Sequence, residues 1–276
     1  MTDLFNTGIR PAVDEYLKKK DAEVRDYGEY WSASSAGYCM RKNIIKRLGV
    51  PEIEKDDDLR KTRVFESGHI FHQWIQEITQ NAGLSVAQEI ELQDEKLMVR
   101  GHIDDLILIT GKDAENVTYN EGMVDEKTVT QLKKHLILYD YKTAHSRSFH
   151  WAKKNGNQLS HYHKMQLGTY MYMLRKGKYP ELSEARILKI SKDDLCFLEQ
   201  QLLWTPVLEK EIYEYWSTLN GYWKSKKMPE CTCHVYENGF LAKEAYNGYF
   251  YNGQPCSLEY VKKWQAEQKE QNNENI

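Results

Sequence analysis

Hydrophobic positions change their period several times along the chain, and the changes mark out its elements. In "ESGHIFHQWIQEITQ" (66–80), Ile70, Phe71, Trp74, Ile75 and Ile78 recur at helical spacing and form one apolar stripe. "AQEIELQ" (87–93) alternates instead, which predicts a strand. "LMVRGHIDDLILIT", "HLILYDYKT" and "EARILKIS" predict three more strands. "YHKMQLGTYMYMLRKG" returns to the helical period and ends at Gly177. Thr205-Pro206 is a cap followed by proline. It opens a long helix with a stripe of Leu208, Ile212, Tyr215, Trp216, Leu219, Tyr222 and Trp223. Near the start, residues 10–24 and "SASSAGYCMRKNIIKRLGV" predict two helices. Ser34 or Ser35 would cap the second, and Gly49 with Pro51 would close it. Glu52 to Lys61 reads as a charged connector, 111–135 as a polar insertion, and the last ten or so residues as a frayed end.

This order predicts an α/β fold with a central mixed β-sheet flanked by helices. The chain shows no internal repeat and no Pro- or Gly-rich linker. Its 276 residues suffice for one compact domain with a sizeable core. Within it, 1–64 is expected to be a helical region carrying Cys39, 65–200 the core with the 111–135 insertion, and 201–276 a helix and cysteine-bearing segment packed on that core.

Composition narrows the function classes. With 41% hydrophobic and 29% charged residues, the chain resembles ordinary globular proteins, and no apolar run approaches the ~20 residues of a membrane span. The opening "MTDLFNTGIR" lacks the pattern of a secretory signal, so a cytoplasmic location is expected. A net charge of −3 excludes a chain that is basic throughout. Local basic clusters do occur, at Arg41 to Arg47, Arg147 to Lys154, Arg175 to Lys178 and Lys224 to Lys227. Any one of them is most simply a solvated face. Sorted locally, they leave nucleic acid open as a partner.

The densest chemistry lies in "LILYDYKTA" (136–144). Residues i and i+2 of a strand share a face, so Asp140 and Lys142 project together after three apolar residues. Charges placed there are costly unless paired or bound to metal. A buried salt bridge is the plainer account of this pair. "MVDEKTV" repeats the acid-x-lysine pattern at Asp125 and Lys127, but in the polar insertion, where such a pair carries little meaning. Asp104 follows Gly101 and Ile103 on the preceding strand. Two carboxylates and the Tyr141 carbonyl suit a hard divalent cation such as Mg2+. A lysine beside that cation would serve hydrolysis of a phosphodiester. Gly68 and His72 share a helix face, as do Gln166 and Tyr170. Gly68 would let its helix approach the sheet closely.

Four short motifs, "GHIFH" (68–72), "GHID" (101–104), "DYKT" (140–143) and "QLGTY" (166–170), stand in order on the expected helix, strand, strand and helix. Together they resemble the PD-(D/E)XK nuclease superfamily, and more closely its RecB-like branch. The resemblance covers roughly residues 65–175 and implies a restriction-endonuclease-like core. It implies that His72, Asp104, Asp140 and the Tyr141 carbonyl ligate Mg2+ or Mn2+, with Lys142 as the catalytic lysine. Gln166 and Tyr170 would position DNA. An imidazole ligand tilts the preference toward Mn2+. One departure is His102, which takes an apolar position of the "GHID" motif and shares a strand face with Asp104; His72 remains the expected ligand.

Cys39, Cys231, Cys233 and Cys256 also bear on the resemblance. In RecB-like nucleases of the CRISPR-adaptation and AddB type, one N-terminal and three C-terminal cysteines hold a [4Fe–4S] cluster. The "YCMR" context of Cys39 and Arg41 fits that pattern, whereas Cys231-x-Cys233 and the long gap to Cys256 depart from it. Three readings stay open: an iron–sulfur cluster, a Zn2+ site that includes His234, or unligated buried thiols. Cys196 is expected in the core.

The resulting expectation is a metal-dependent DNA exonuclease acting on single-stranded DNA or DNA ends in recombination, repair or phage and CRISPR DNA processing. Arg41 and Lys224 to Lys227 are expected to track the strand backbone. An endonuclease on the same scaffold and a non-cleaving nucleic-acid-binding subunit are the alternatives.

Overall fold

In a computed structural model of the chain, the alternating stretches become strands and the 3.6-period stretches become helices. It describes residues 9–22, 28–53, 59–110, 134–154, 158–233, 249–252 and 254–274. The elements are α1 (Arg10–Ala22), β1 (Trp31–Ser32), α2 (Met40–Arg47), α3 (Leu59–Asn81), β2 (Ser85–Asp94), β3 (Val99–Thr110) and β4 (Lys134–Ala144). There follow α4 (Ser146–Lys154), α5 (His161–Lys176), β5 (Glu184–Ser191), β6 (Phe197–Leu203), α6 (Pro206–Lys224) and α7 (Leu258–Glu274).

One six-stranded mixed sheet forms the centre. β3 lies antiparallel to β2 along one edge. Its other edge is divided between two partners. β1 pairs parallel at Val99 and Arg100, and β4 pairs antiparallel from Asp105↔Tyr139 to Thr110↔Lys134. The stretch between, Gly101 to Asp104, has no ladder partner on that edge. β4 then pairs parallel with β5, and β5 antiparallel with β6. The parallel β4–β5 crossover carries α4 and α5.

Each face of the sheet is covered by apolar residues. Leu167 and Met171 of α5 and Ile212 and Trp216 of α6 bury one face together with Ile103, Leu138 and Ile187. Ile75 of α3 packs on the other face with Ile107, Ile137, Tyr139, Tyr141 and Ile190. Ser160 and Thr205 cap α5 and α6 by accepting from the His163 and Leu208 amides. A small separate core joins Cys39, Ile45 and Val50 to Tyr249, Cys256 and Val261. Among the described residues no helix is long and apolar enough to cross a membrane.

Several expectations change. The second helix starts at Met40, not at Ser34 or Ser35. The serines instead bond locally, Ser35 Oγ donating to the Ser32 carbonyl in a 3-10 turn. Only Ile75 of the α3 stripe is buried; Ile70, Trp74 and Ile78 are exposed. The face of α3 that meets the sheet also carries His72, Gln76 and Thr79, which hydrogen-bond or ion-pair with β3. Trp74 covers itself partly against Phe197, with ring centroids 6.2 Å apart. Cys196 is exposed, not in the core, because it lies in the turn between β5 and β6. The edge strand β6 escapes sequence reading because only Gln200 of its seven residues is buried. α4 was hidden within a basic cluster. The polar C-terminal stretch is helical through Glu274, not frayed. Asp125, Lys127 and His234 lie outside the described residues.

A buried polar network locks the far end of β4 and β5. Glu184 is paired with His135 (2.6 Å) and Arg186, and accepts from Gln201 (2.8 Å). Burial pushes its carboxyl up, but these donors outweigh that and hold it down at about 2. A depressed carboxyl stabilises the fold above its unfolded pKa, and that stability is lost as pH falls toward the folded value. Acid titration followed by circular dichroism should therefore show stability declining from pH 4.5 toward about 2. Glu184→Gln should lose on the order of 3 kcal/mol at pH 7 in urea unfolding and flatten this decline.

Candidate active site

The unpaired stretch of β3 creates an opening beside β4. Past the Asp105↔Tyr139 pair the two strands separate, and the Tyr141 amide no longer meets a backbone carbonyl of β3. Asp104 fills that role, its Oδ2 accepting from the Tyr141 N–H at 2.6 Å. A strand residue points its N–H and C=O toward the same edge, so the Tyr141 carbonyl faces the same opening. The Tyr141 ring turns away under α3, and its hydroxyl donates to Asp105 Oδ2 at 2.9 Å.

Helices on opposite faces of the sheet reach into this opening. From α3, His72 Nδ1 lies 3.5 Å from Asp104 Oδ1. His72, and not His102, therefore meets Asp104; His102 stands opposite Glu91 on β2. From α5, Gln166 Nε2 donates to Asp140 Oδ1 at 3.0 Å and to the Tyr170 hydroxyl at 3.3 Å. Lys142 Nζ donates to Asp140 Oδ1 at 3.0 Å and lies 2.8 Å from Oδ2. The angle to Oδ2 does not make a hydrogen bond, which leaves that buried oxygen without one.

The charges are unequal. Burial pushes the Asp140 carboxyl up to about 6, against the pull of Lys142. Burial also raises Asp104, but His72, Lys142 and the Tyr141 amide outweigh it, so Asp104 ends below its ordinary value. Burial lowers His72 and Lys142, and the neighbouring carboxylates more than reverse this in both. Lys142 is thus held as an ammonium.

The donor set suits a divalent cation. It offers two carboxylates, an imidazole, a carbonyl and a buried oxygen, Asp140 Oδ2, without a donor. In the observed side-chain positions, however, His72, Asp104 and Asp140 do not form a triple close enough to share one ion. Among the described residues that closeness belongs to Cys39, Cys231, Cys233 and Cys256, whose sulfurs all lie within 4.8 Å of one another. Asp140 is drawn instead onto Lys142 and Gln166.

Gln166 and Tyr170 are buried. Of the pair expected to position DNA, Gln166 is engaged with Asp140 and with the Tyr170 hydroxyl. Arg41 Nε donates to the Pro229 carbonyl at 2.7 Å, which ties α2 to the cysteine-bearing segment. Lys224, Lys226 and Lys227 are exposed. Sequence reasoning missed Tyr38. Its ring stacks on Tyr162 with centroids 4.7 Å apart, carries Lys42 Nζ at 4.8 Å, and lies near enough to Lys142 to influence its charge. No sequence period marks that pair.

Among the four thiols, Cys39 sits at the N-cap of α2 and accepts from the Thr232 amide at 3.4 Å. Its contacts with Cys233 and Cys256 favour the thiolate at Cys39 and push the other two up, Cys233 to about 12.

No protein-family profile and no curated protein sequence matches the chain. Solved structures of similar shape are distant. The crystal structure of SSO0001 is 14% identical with a TM-score of 0.45, covering 81% of this chain and 94% of that one. An alkaline exonuclease from Laribacter hongkongensis is 13% identical with a TM-score of 0.44, covering 72% and 89%. A phage-related exonuclease from Haemophilus somnus 129PT is 12% identical with a TM-score of 0.29, covering 79% and 81%.

Gly101 is the glycine on which the site's packing depends. A Cβ there would lie 2.8 Å from the Ala33 Cβ and 2.8 Å from the Tyr170 ring, whereas one at Gly68 would meet Thr143 Oγ1 at an ordinary 3.6 Å. The close approach expected at Gly68 thus occurs at Gly101. Urea unfolding should show Gly101→Ala destabilised by about 1–3 kcal/mol. Gly68→Ala, in a helix interior, should gain up to about 1 kcal/mol.

Proposed function

We propose that this chain is a metal-dependent DNA exonuclease of the PD-(D/E)XK type, acting on single-stranded DNA or DNA ends. The observation that supports the reading is a chain of contacts along the opening between β3 and β4: His72 meets Asp104, Asp104 meets the Tyr141 amide, and Lys142 meets Asp140. His72, Asp104, Asp140 and the Tyr141 carbonyl would hold Mg2+ or Mn2+. When bound, such an ion polarises a phosphoryl oxygen and lowers the pKa of water.

The chain's own groups divide the remaining work. An ammonium at Lys142 donates hydrogen bonds and positive charge but is no proton acceptor at neutral pH. It therefore orients the attacking water and offsets charge that gathers on the phosphate oxygens. Gln166 holds Asp140 in place, and Tyr170 backs Gln166. The stacked Tyr38–Tyr162 pair, with Lys42 over the Tyr38 ring, would offer aromatic rings and charge to an unpaired strand. The exposed Lys224 to Lys227 segment adds non-specific phosphate affinity.

Linear and circular single-stranded DNA incubated with Mn2+ test the reading. The wild type should degrade the linear strand and leave the circle intact. Lys142→Ala and Asp140→Asn should each lose at least about 100-fold in rate while keeping the wild-type circular dichroism spectrum. Cutting of the circle would favour an endonuclease, and binding without cleavage a scaffold subunit.

A further inference from the structure

We infer that Cys39, Cys231, Cys233 and Cys256 hold a single tetrahedral zinc ion, and that this ion, not an iron–sulfur cluster, fastens the C-terminal segment to α2. The sulfur spacing carries the argument. Cys39 and Cys231 sulfurs are 3.9 Å apart, those of Cys233 and Cys256 are 3.6 Å apart, and all four lie within 4.8 Å of one another. Thiolates at ~2.3 Å from one central zinc stand ~3.8 Å apart at the corners of a tetrahedron. A [4Fe–4S] cubane interposes four irons and four sulfides between its ligands, which sets the cysteine sulfurs much wider. The quartet is too narrow for that cluster and matches one ion.

The surroundings agree with a closed structural site. Cys39 and Cys256 are buried and the other two are half-buried, and four protein thiolates leave no open position for a substrate or water. His234 is not needed as a ligand. Soft thiolates favour zinc among available divalent ions. The Thr232 amide donates to the Cys39 sulfur, the kind of support that orients a metal ligand.

The ion would join groups far apart in sequence. Cys39 belongs to α2, Cys231 and Cys233 to the coil after α6, and Cys256 to the turn before α7. Among the described residues, the small core around them adds Ile45, Val50, Tyr249 and Val261 as buried apolar residues, with Leu48, Met228, Tyr260 and Trp264 partly buried against it. A metal crosslink would strengthen a core of that size.

The test is the metal content of the full chain, purified without oxygen from cells supplied with both zinc and iron. About one zinc per chain is expected, with no acid-labile sulfide and no absorption near ~400 nm. Replacing the ion with Co2+ should give the visible bands of a tetrahedral thiolate site. Cys196→Ser, at the exposed thiol outside the quartet, should keep the zinc. Cys231→Ser should lose it while the central sheet keeps its circular dichroism signal. Chelation of the wild type should open the segment after α6 to proteolysis. Iron with sulfide, iron alone, or a metal-free chain would each overturn the inference, as would zinc that survives in Cys231→Ser.

Discussion

The separation of β3 from β4 beyond the Asp105↔Tyr139 pair is the constraint on which the rest of the molecule turns. A sheet does not leave buried backbone groups unpaired without replacing the lost partners. Here the replacement is a side chain, Asp104, which accepts the freed Tyr141 amide. The same opening admits His72 from one face of the sheet and Gln166 from the other. β1 closes β3's edge again at Val99 and Arg100, so the gap is confined to Gly101–Asp104. Packing follows from this, because the Tyr170 ring and Ala33 press so closely on Gly101 that a side chain there has no room.

Three acids of β3 and β4, Asp104, Asp105 and Asp140, show how differently carboxylates of one sheet are satisfied. Asp105 is fully buried and accepts from Thr79, Ser85, Gln88 and Tyr141. Such a carboxylate is saturated and fixes α3 and β2 to the sheet. Asp104 next to it is held by one amide and one imidazole. Asp140 keeps a buried oxygen without a hydrogen bond beside an ammonium. A buried carboxylate with an incompletely hydrogen-bonded oxygen is expensive. The fold retains it where a neighbouring charge offsets the cost, as Lys142 does here.

The cysteine quartet belongs to a different physical regime. The sheet and its helices bury large continuous apolar surfaces on both faces. Among the described residues, the region joining α2 to the coil after α6 and to α7 has a smaller core that includes the thiols. Arg41 reinforces that junction through the Pro229 carbonyl. A basic residue that sequence suggests for DNA contact is thereby engaged in holding the chain together.

The sequence by itself determined the order of most elements and the residue types of the site. Alternation and 3.6-residue spacing are local properties, written in neighbours. They located β2 to β5, α3, α5 and α6, and the mixed sheet flanked by helices. They failed at β6, where one face is barely buried, at α4, and at the exposed half of the α3 stripe. Motif spacing picked out His72, Asp104, Asp140 and Lys142. Only the tertiary structure decided that Gln166 faces Asp140, that Asp105 is saturated while Asp104 is not, and that four sulfurs stand at single-ion distance. Those facts are distances between groups tens to more than two hundred residues apart. They are set by how helices pack on both faces of a sheet, which no local period records.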